Sequence, residues 1–230
     1  MGVLSKRYFL RSGAPLKTLQ HLKNNAPLGQ YVQIPPNLEK FFPNNGSNMR
    51  RIGVDDDGSC FFHTLVSALN FNNWHGKKNS QKVHLGHELR YMLRDAVTKK
   101  TWGNYWNGRG VSTRKIPKMK KVIEELSNYR VWANVYTIMF SMHMLDLNII
   151  VFDMSSGQIY CGTHNPINAN NTIFICWINH SHFEPIVMVD DNNNVVGKFS
   201  KKDKVFKYVL KKYKEQGCPL QSFQSILLNR

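Results

Sequence analysis

Acidic side chains are scarce in this chain: 15 Asp and Glu face 31 Lys and Arg, a formal net charge of +16 over 230 residues. A basic excess of that size suits a nucleic-acid partner, but it is uneven. Residues 1–50 hold seven basic groups and one acid, and residues 201–230 hold eight and two. Residues 151–200 carry a single lysine, Lys198, against four acids. The stretch around His182 is therefore no simple phosphate-binding surface, and an anionic partner, nucleic acid or acidic protein, is expected only at the basic termini. Apolar runs are also short. None approaches the roughly 18 residues of a membrane span, and MGVLSKRYFLRSGAP has no apolar signal-like region. Met1-Gly2 suggests acylation, but Ser5 falls one place early for it, so no anchor is expected. Cysteines number four, at 60, 161, 176 and 218, with no CxxC pair. That excludes a disulfide scaffold and fits a reducing compartment, cytoplasmic or nuclear, where a thiol stays free. There is no internal repeat.

With 42% hydrophobic residues, the chain can bury a substantial core. Residues 1–49 are rich in Pro, Asn and Gly (NNAPLG, QIPPN, FPNNGSN) and read as a loop-rich arm packed on that core. Residues 50–192 form the main domain. Its nearly continuous apolar stretch from Cys60 to Leu69 predicts a buried helix capped by Asp57 or Ser59. Further helices are expected at 81–99, capped by Ser80, at 117–129 and at 132–145, where Trp132, Val135, Met139, Met142 and Leu145 recur at helical spacing. WGNYWNGRG, from Trp102, reads as a loop, either a folded surface loop or one that contacts substrate. Four strands follow, NIIVFDM, QIYCG, NTIFICWI and HFEPIVMV, with INHSH as the last turn. Residues 193–230 form a basic strand and helix extension whose helix turns Val205, Val209 and Tyr213 to one side. The fold class is α/β (α+β), a small central β-sheet flanked by helices.

VDDDGSCFFHTL, Val54 to Leu65, sets a thiol directly after an acidic turn. Alone, Cys60 is a buried core cysteine as readily as a nucleophile. Its place at a helix head favours the second, because unpaired N–H groups and the helix dipole stabilise a thiolate and an oxyanion. Gly58 is expected to give unusual dihedrals and close backbone approach. A histidine from a rigid element must complete the pair, and His180 and His182 both qualify. Glu184, two residues along a strand, shares a face with His182 and is placed to accept its second N–H. Cys60 with His63 and Cys161 with His164 assemble four zinc ligands on paper, but pairs so far apart are a weak pattern. His84, His87 and Glu88 form no HExxH and read as surface groups.

Asp57, Gly58 and Cys60 with the apolar helix after them, WANVYTIMFSMHMLDLNIIVFD downstream, and finally HFEPIV resemble the ovarian-tumour (OTU) family of cysteine proteases across residues 50–190. The resemblance implies a papain-like OTU fold and removal of ubiquitin or a ubiquitin-like modifier from its conjugates. It makes Cys60 the nucleophile, His182 the general base and acid, and Glu184 its orienter. Asp57 organises the site or supports His182 in its place. Gly58, Ser59, Asn179 and His180 would line the oxyanion site and the substrate channel, and neither metal nor cofactor is required. The chain departs from the family at His63, where a basic residue is common, and at Glu184, where Asp or Asn is. A short Lys- and Asn-rich member suits a virus or an effector acting on host ubiquitin signals. The alternative function is a catalytically lapsed binding module on the same fold, using its basic surface for nucleic acid or a protein partner.

Overall fold

The computed structural model describes residues 25–71, 73–106, 116–161 and 171–217. Its elements run in the order β1 (Tyr31–Gln33), α1 (Pro36–Glu39), β2 (Met49–Ile52), α2 (Cys60–Ala68), α3 (Asn79–Asp95), α4 (Lys99–Trp106), α5 (Met119–Ser127) and α6 (Val135–Met144). Then come β3 (Asn148–Asp153), β4 (Gln158–Cys161), β5 (Thr172–Ile178), β6 (His182–Val189), β7 (Val195–Val196), β8 (Lys198–Phe199) and α7 (Lys204–Glu215).

One mixed sheet, ordered β1-β2-β6-β5-β3-β4, forms the middle layer, with β7 on β6 and β8 on β5. Among the described strands, only β3 and β5 pair in parallel. The continuous apolar runs of β3 and β5 are buried on both faces, as covered strands require. Ile149, Val151, Ile175 and Trp177 pack with α2 to α6 in one cluster. Ile150, Phe152, Phe174 and Cys176 alternate into a second cluster with Leu38, Phe41, Phe42 and α7. The sheet thus lies between two helical layers, and the α+β class holds.

Sequence and structure part at several elements. The stretch read as the loop WGNYWNGRG is helical through Trp106. Trp102, Tyr105 and Trp106 are buried on α4, and Trp102 and Tyr105 stand edge-on to Phe140, with centroids 5.1 and 5.9 Å away. Spacing of three and four residues made them a helix face. Residues 107–115 lie outside the described residues. The single helix expected at 81–99 is two. The first ends at Asp95, with Ala96 at its cap, and Thr98 caps the next, its hydroxyl oxygen accepting from Thr101 N–H at 3.1 Å. Ser80 is not the cap of α3, which begins after Lys78, whose N–H donates to the Gln81 side chain at 3.1 Å. Trp132 precedes α6 and is exposed, the cap being Asn134.

Residues 25–49 supply β1, half-pair β2 and bury Phe41 and Phe42, so the boundary read at 49 falls inside a strand. At the other end Phe206, Val209 and Tyr213 pack inward from α7 and its lysines face outward. No helix among the described residues is long and apolar enough to cross a membrane.

Candidate active site

Cys60 is the first residue of α2, and the turn before it is held by Asp57. The Asp57 carboxylate accepts from Ser59 N–H at 2.7 Å, and its carbonyl from Cys60 N–H at a long 3.3 Å. Ser59 N–H is therefore committed to Asp57, which leaves the weakly engaged Cys60 N–H as the nearer oxyanion donor. Of the two reasons expected for Gly58, close backbone approach holds and a positive φ does not. Its φ is not positive, but a Cβ there would collide with the Arg130 carbonyl carbon and leave Val131 N only 2.6 Å away.

Beneath this turn lies Arg90 of α3, only 1% exposed. Its guanidinium donates to the carbonyls of Gly58 (2.9 Å), Leu126 (3.1 Å) and Glu125 (2.5 Å) and to the Ser59 hydroxyl (3.0 Å). Burial pushes its pKa down to about 10 despite the nearby Asp57 charge. Arg90→Met would strand these acceptors, and each unsatisfied buried group costs about 1–3 kcal/mol. We expect a loss of about 3 kcal/mol or more in denaturant unfolding; a loss within experimental error would show that water replaces the guanidinium.

His182 opens β6 and is fully buried. Cys60 Sγ is close enough to bias the charge on His182, and its thiol donates to the Ser181 carbonyl at 3.9 Å. Two carboxylates face the ring: Asp56 Oδ1 lies 3.1 Å from Nδ1, and Glu184 Oε1 3.4 Å from Nε2. Neither is in line with a ring N–H, so these are ion pairs rather than well-formed hydrogen bonds. Burial alone would lower the pKa of His182, but Asp56, the Cys60 sulfur and Glu184 outweigh it and hold the imidazole well above its ordinary value.

Glu184 is fully buried and has other partners. Arg51 on the neighbouring strand β2 donates to Oε2 at 2.8 Å, and Ala26 N–H to Oε1 at 2.7 Å. Asp56 Oδ2 in turn accepts from Asn25 Nδ2 at 3.1 Å. Residues 25–28 are pressed against Gly53, where a Cβ would strike the Pro27 carbonyl oxygen. The N-terminal segment thus braces both carboxylates.

No hydrogen bond or ion pair joins Asp57 to His182. His63 Nε2 lies 3.0 Å from Asp57 Oδ1 and His87 Nε2 2.6 Å from its Oδ2. Burial would raise its pKa, but the bonds from His63, His87 and Ser59 N–H prevail and hold the carboxyl well below the usual range. His180 turns away, its Nε2 3.1 Å from Asp153 Oδ2 and its ring against Trp177. Asn179 and His180 form the left-handed tip of the turn, at φ 47° and 59°. The proposed zinc pairing dissolves. Cys60 and Cys161 belong to opposite core layers, His63 belongs to Asp57, and His164 lies outside the described residues. The donor set that is gathered is Asp57, His63 and His87. His87 was read as a surface group; it is 19% exposed and joined to the turn.

Sequence reasoning missed Asp56, Arg51, Arg90 and the Asn25–Ala26 brace. Asp56 was hidden among three successive aspartates whose side chains diverge. Arg51 and Arg90 carried no signal beyond basic residues in otherwise apolar surroundings.

A helix-head thiol beside a strand-borne imidazole, on a mixed sheet between helical layers, places the chain among α+β proteins with a cysteine–histidine site. Its fold is that of the OTU domain. A solved OTU domain in complex with ubiquitin superposes with a TM-score of 0.51 at 19% identity, covering 80% of this chain and 98% of that one. The Hazara virus OTU bound to ubiquitin matches at 13% identity and TM-score 0.44, over 62% of this chain and 82% of that one. An OTU deubiquitinase from Wolbachia pipientis wMel matches at 11% identity and TM-score 0.39, over 72% and 97%. No protein-family model matches the chain, and no curated protein sequence does.

Proposed function

We propose that the chain is a deubiquitinating cysteine protease, hydrolysing the isopeptide bond after the C-terminal Gly-Gly of ubiquitin or a ubiquitin-like modifier. The observation that carries this reading is the buried Cys60–His182 pair with carboxylates on both sides of the ring, on the fold of a domain solved in complex with ubiquitin. Cys60 is only 4% exposed, so access is narrow, and a tail of two glycines, lacking side chains, suits such access.

In the proposed reaction the Cys60 thiolate attacks the carbonyl carbon of the terminal glycine, and Cys60 N–H receives the oxyanion. His182, whose carboxylate neighbours favour its imidazolium form, donates its proton to the departing lysine amine. The thioester remains on Cys60. Neutral His182 then takes a proton from water, hydroxide adds to the thioester, and collapse releases the carboxylate and returns the thiol. Asp56 and Glu184 stabilise the imidazolium from both sides. His180, paired with Asp153, takes no part.

The test is reaction with ubiquitin bearing a C-terminal electrophile. We expect one covalent adduct, mapped to Cys60 by peptide mass spectrometry and absent from His182→Ala. Folded wild-type protein that forms no adduct with ubiquitin or any ubiquitin-like probe would refute the reading.

A further inference from the structure

We infer that Asp57, His63 and His87 form a binding site for one divalent transition-metal ion, with zinc its best-fitting occupant. Three elements contribute one ligand each: the turn before α2, α2 itself, and α3. The two Nε2 atoms and one carboxylate oxygen lie within 4.8 Å of one another. Around a tetrahedral zinc with bonds of about 2.0–2.1 Å, ligand atoms sit about 3.4 Å apart, so the donors are already gathered to within side-chain adjustment. Two imidazoles and a carboxylate are a donor set that zinc accepts, leaving a fourth position for water.

The surroundings favour a cation. His63 is buried, its ring pressed so closely on Gly86 that a Cβ there would collide with Nδ1, which fixes the ring with Nε2 turned to Asp57. Asp57 and His87 remain 17% and 19% exposed, which gives an ion a way in. The buried Arg90 guanidinium, though its charge lies near Asp57, donates its hydrogen bonds to the carbonyls of Gly58, Glu125 and Leu126 and leaves the Asp57 oxygens to the two histidines. Without metal, each imidazole meets a different oxygen of the same carboxylate, and this arrangement keeps the ligands assembled. A bound ion would tie α3 to the turn that carries Asp56 and Cys60, three residues from the thiol. The site is a cross-link, not a reaction centre, and it does not rest on the hydrolase reading.

Zinc titrated calorimetrically into chelator-treated full chain carrying Cys60→Ala tests it, since that host removes the thiol that could bind metal with His182. We expect one equivalent bound and a rise in unfolding temperature. Cobalt in the same host should give the visible bands of a four-coordinate nitrogen and oxygen site. His87→Ala should weaken binding at least about 100-fold, the upper range for losing even a ligand's supporting partner. His87→Gln provides the same comparison if the alanine variant does not keep the wild-type circular dichroism. No binding at micromolar zinc, binding that His87→Gln leaves unchanged, or binding seen only when Cys60 is present would each overturn the inference.

Discussion

Cys60→Ala is expected to reduce ubiquitin-conjugate hydrolysis by about 10⁴-fold or more, the order seen when a covalent nucleophile is removed from an enzyme that uses one. Affinity for the modifier should persist, because the thiol is buried and 4% exposed and adds little to any contact surface. Turnover and modifier binding, measured on the same preparation, separate chemistry from recognition. Alanine fills less than cysteine, so some stability is lost with the sulfur, but a variant that unfolds at nearly the wild-type temperature and still binds would place the whole deficit in the chemical step. Turnover close to wild type would remove Cys60 from the mechanism altogether.

Asp56→Asn should produce the second large effect, a fall in kcat/KM of about 10²–10⁴-fold, the range associated with loss of the carboxylate beside a catalytic imidazole. The expected pH profile follows from the sign of the His182 shift. Asp56, Cys60 and Glu184 hold the imidazolium well above its ordinary value. The reactive form needs that proton, so activity should persist above the ordinary imidazole pKa of about 6.5 and fall as pH rises through the raised value. Asp56→Asn removes one negative neighbour and should move this alkaline limb to lower pH. Glu184→Gln should behave differently. Glu184 is bonded to Arg51 and Ala26 as well, and neutralising it breaks a buried ion pair, a change that costs about 3–5 kcal/mol. Its first symptom should be a lowered unfolding temperature. An alkaline limb that shifts with Glu184→Gln and stays fixed with Asp56→Asn would reverse the two roles.

These contrasts mark how far the sequence could be read. Strands with period-two or continuous β-branched patterning, and helices with one apolar face, are written locally, and β3 to β6, α2 and α7 were legible for that reason. α4 was not, because three large aromatics with glycine and asparagine between them resemble a loop until Phe140 supplies something to pack against. At the site, the nearness of Cys60 and His182 could be anticipated because each sits at the junction of two recognisable elements. Their supports could not. Asp55, Asp56 and Asp57 are chemically equivalent in a string, and only the turn at Gly58, closed down on Arg130, decides that Asp56 meets His182 and Asp57 meets two other histidines. Arg51 reaches Glu184 through strand pairing across 133 residues of chain, which no local pattern encodes.

The position of β6 between β2 and β5 also governs when, during synthesis, Cys60 and His182 can first meet. Until residue 189 has left the ribosome, β2 has only the three-residue β1 beside it, and an isolated two-stranded ribbon is marginal in water. Cys60 emerges more than a hundred residues before His182 and must wait, with its helix, for the strand that brings the imidazole. The nascent chain therefore carries its thiol without the imidazole that faces it in the folded protein, and the last central strand to be made brings the two together.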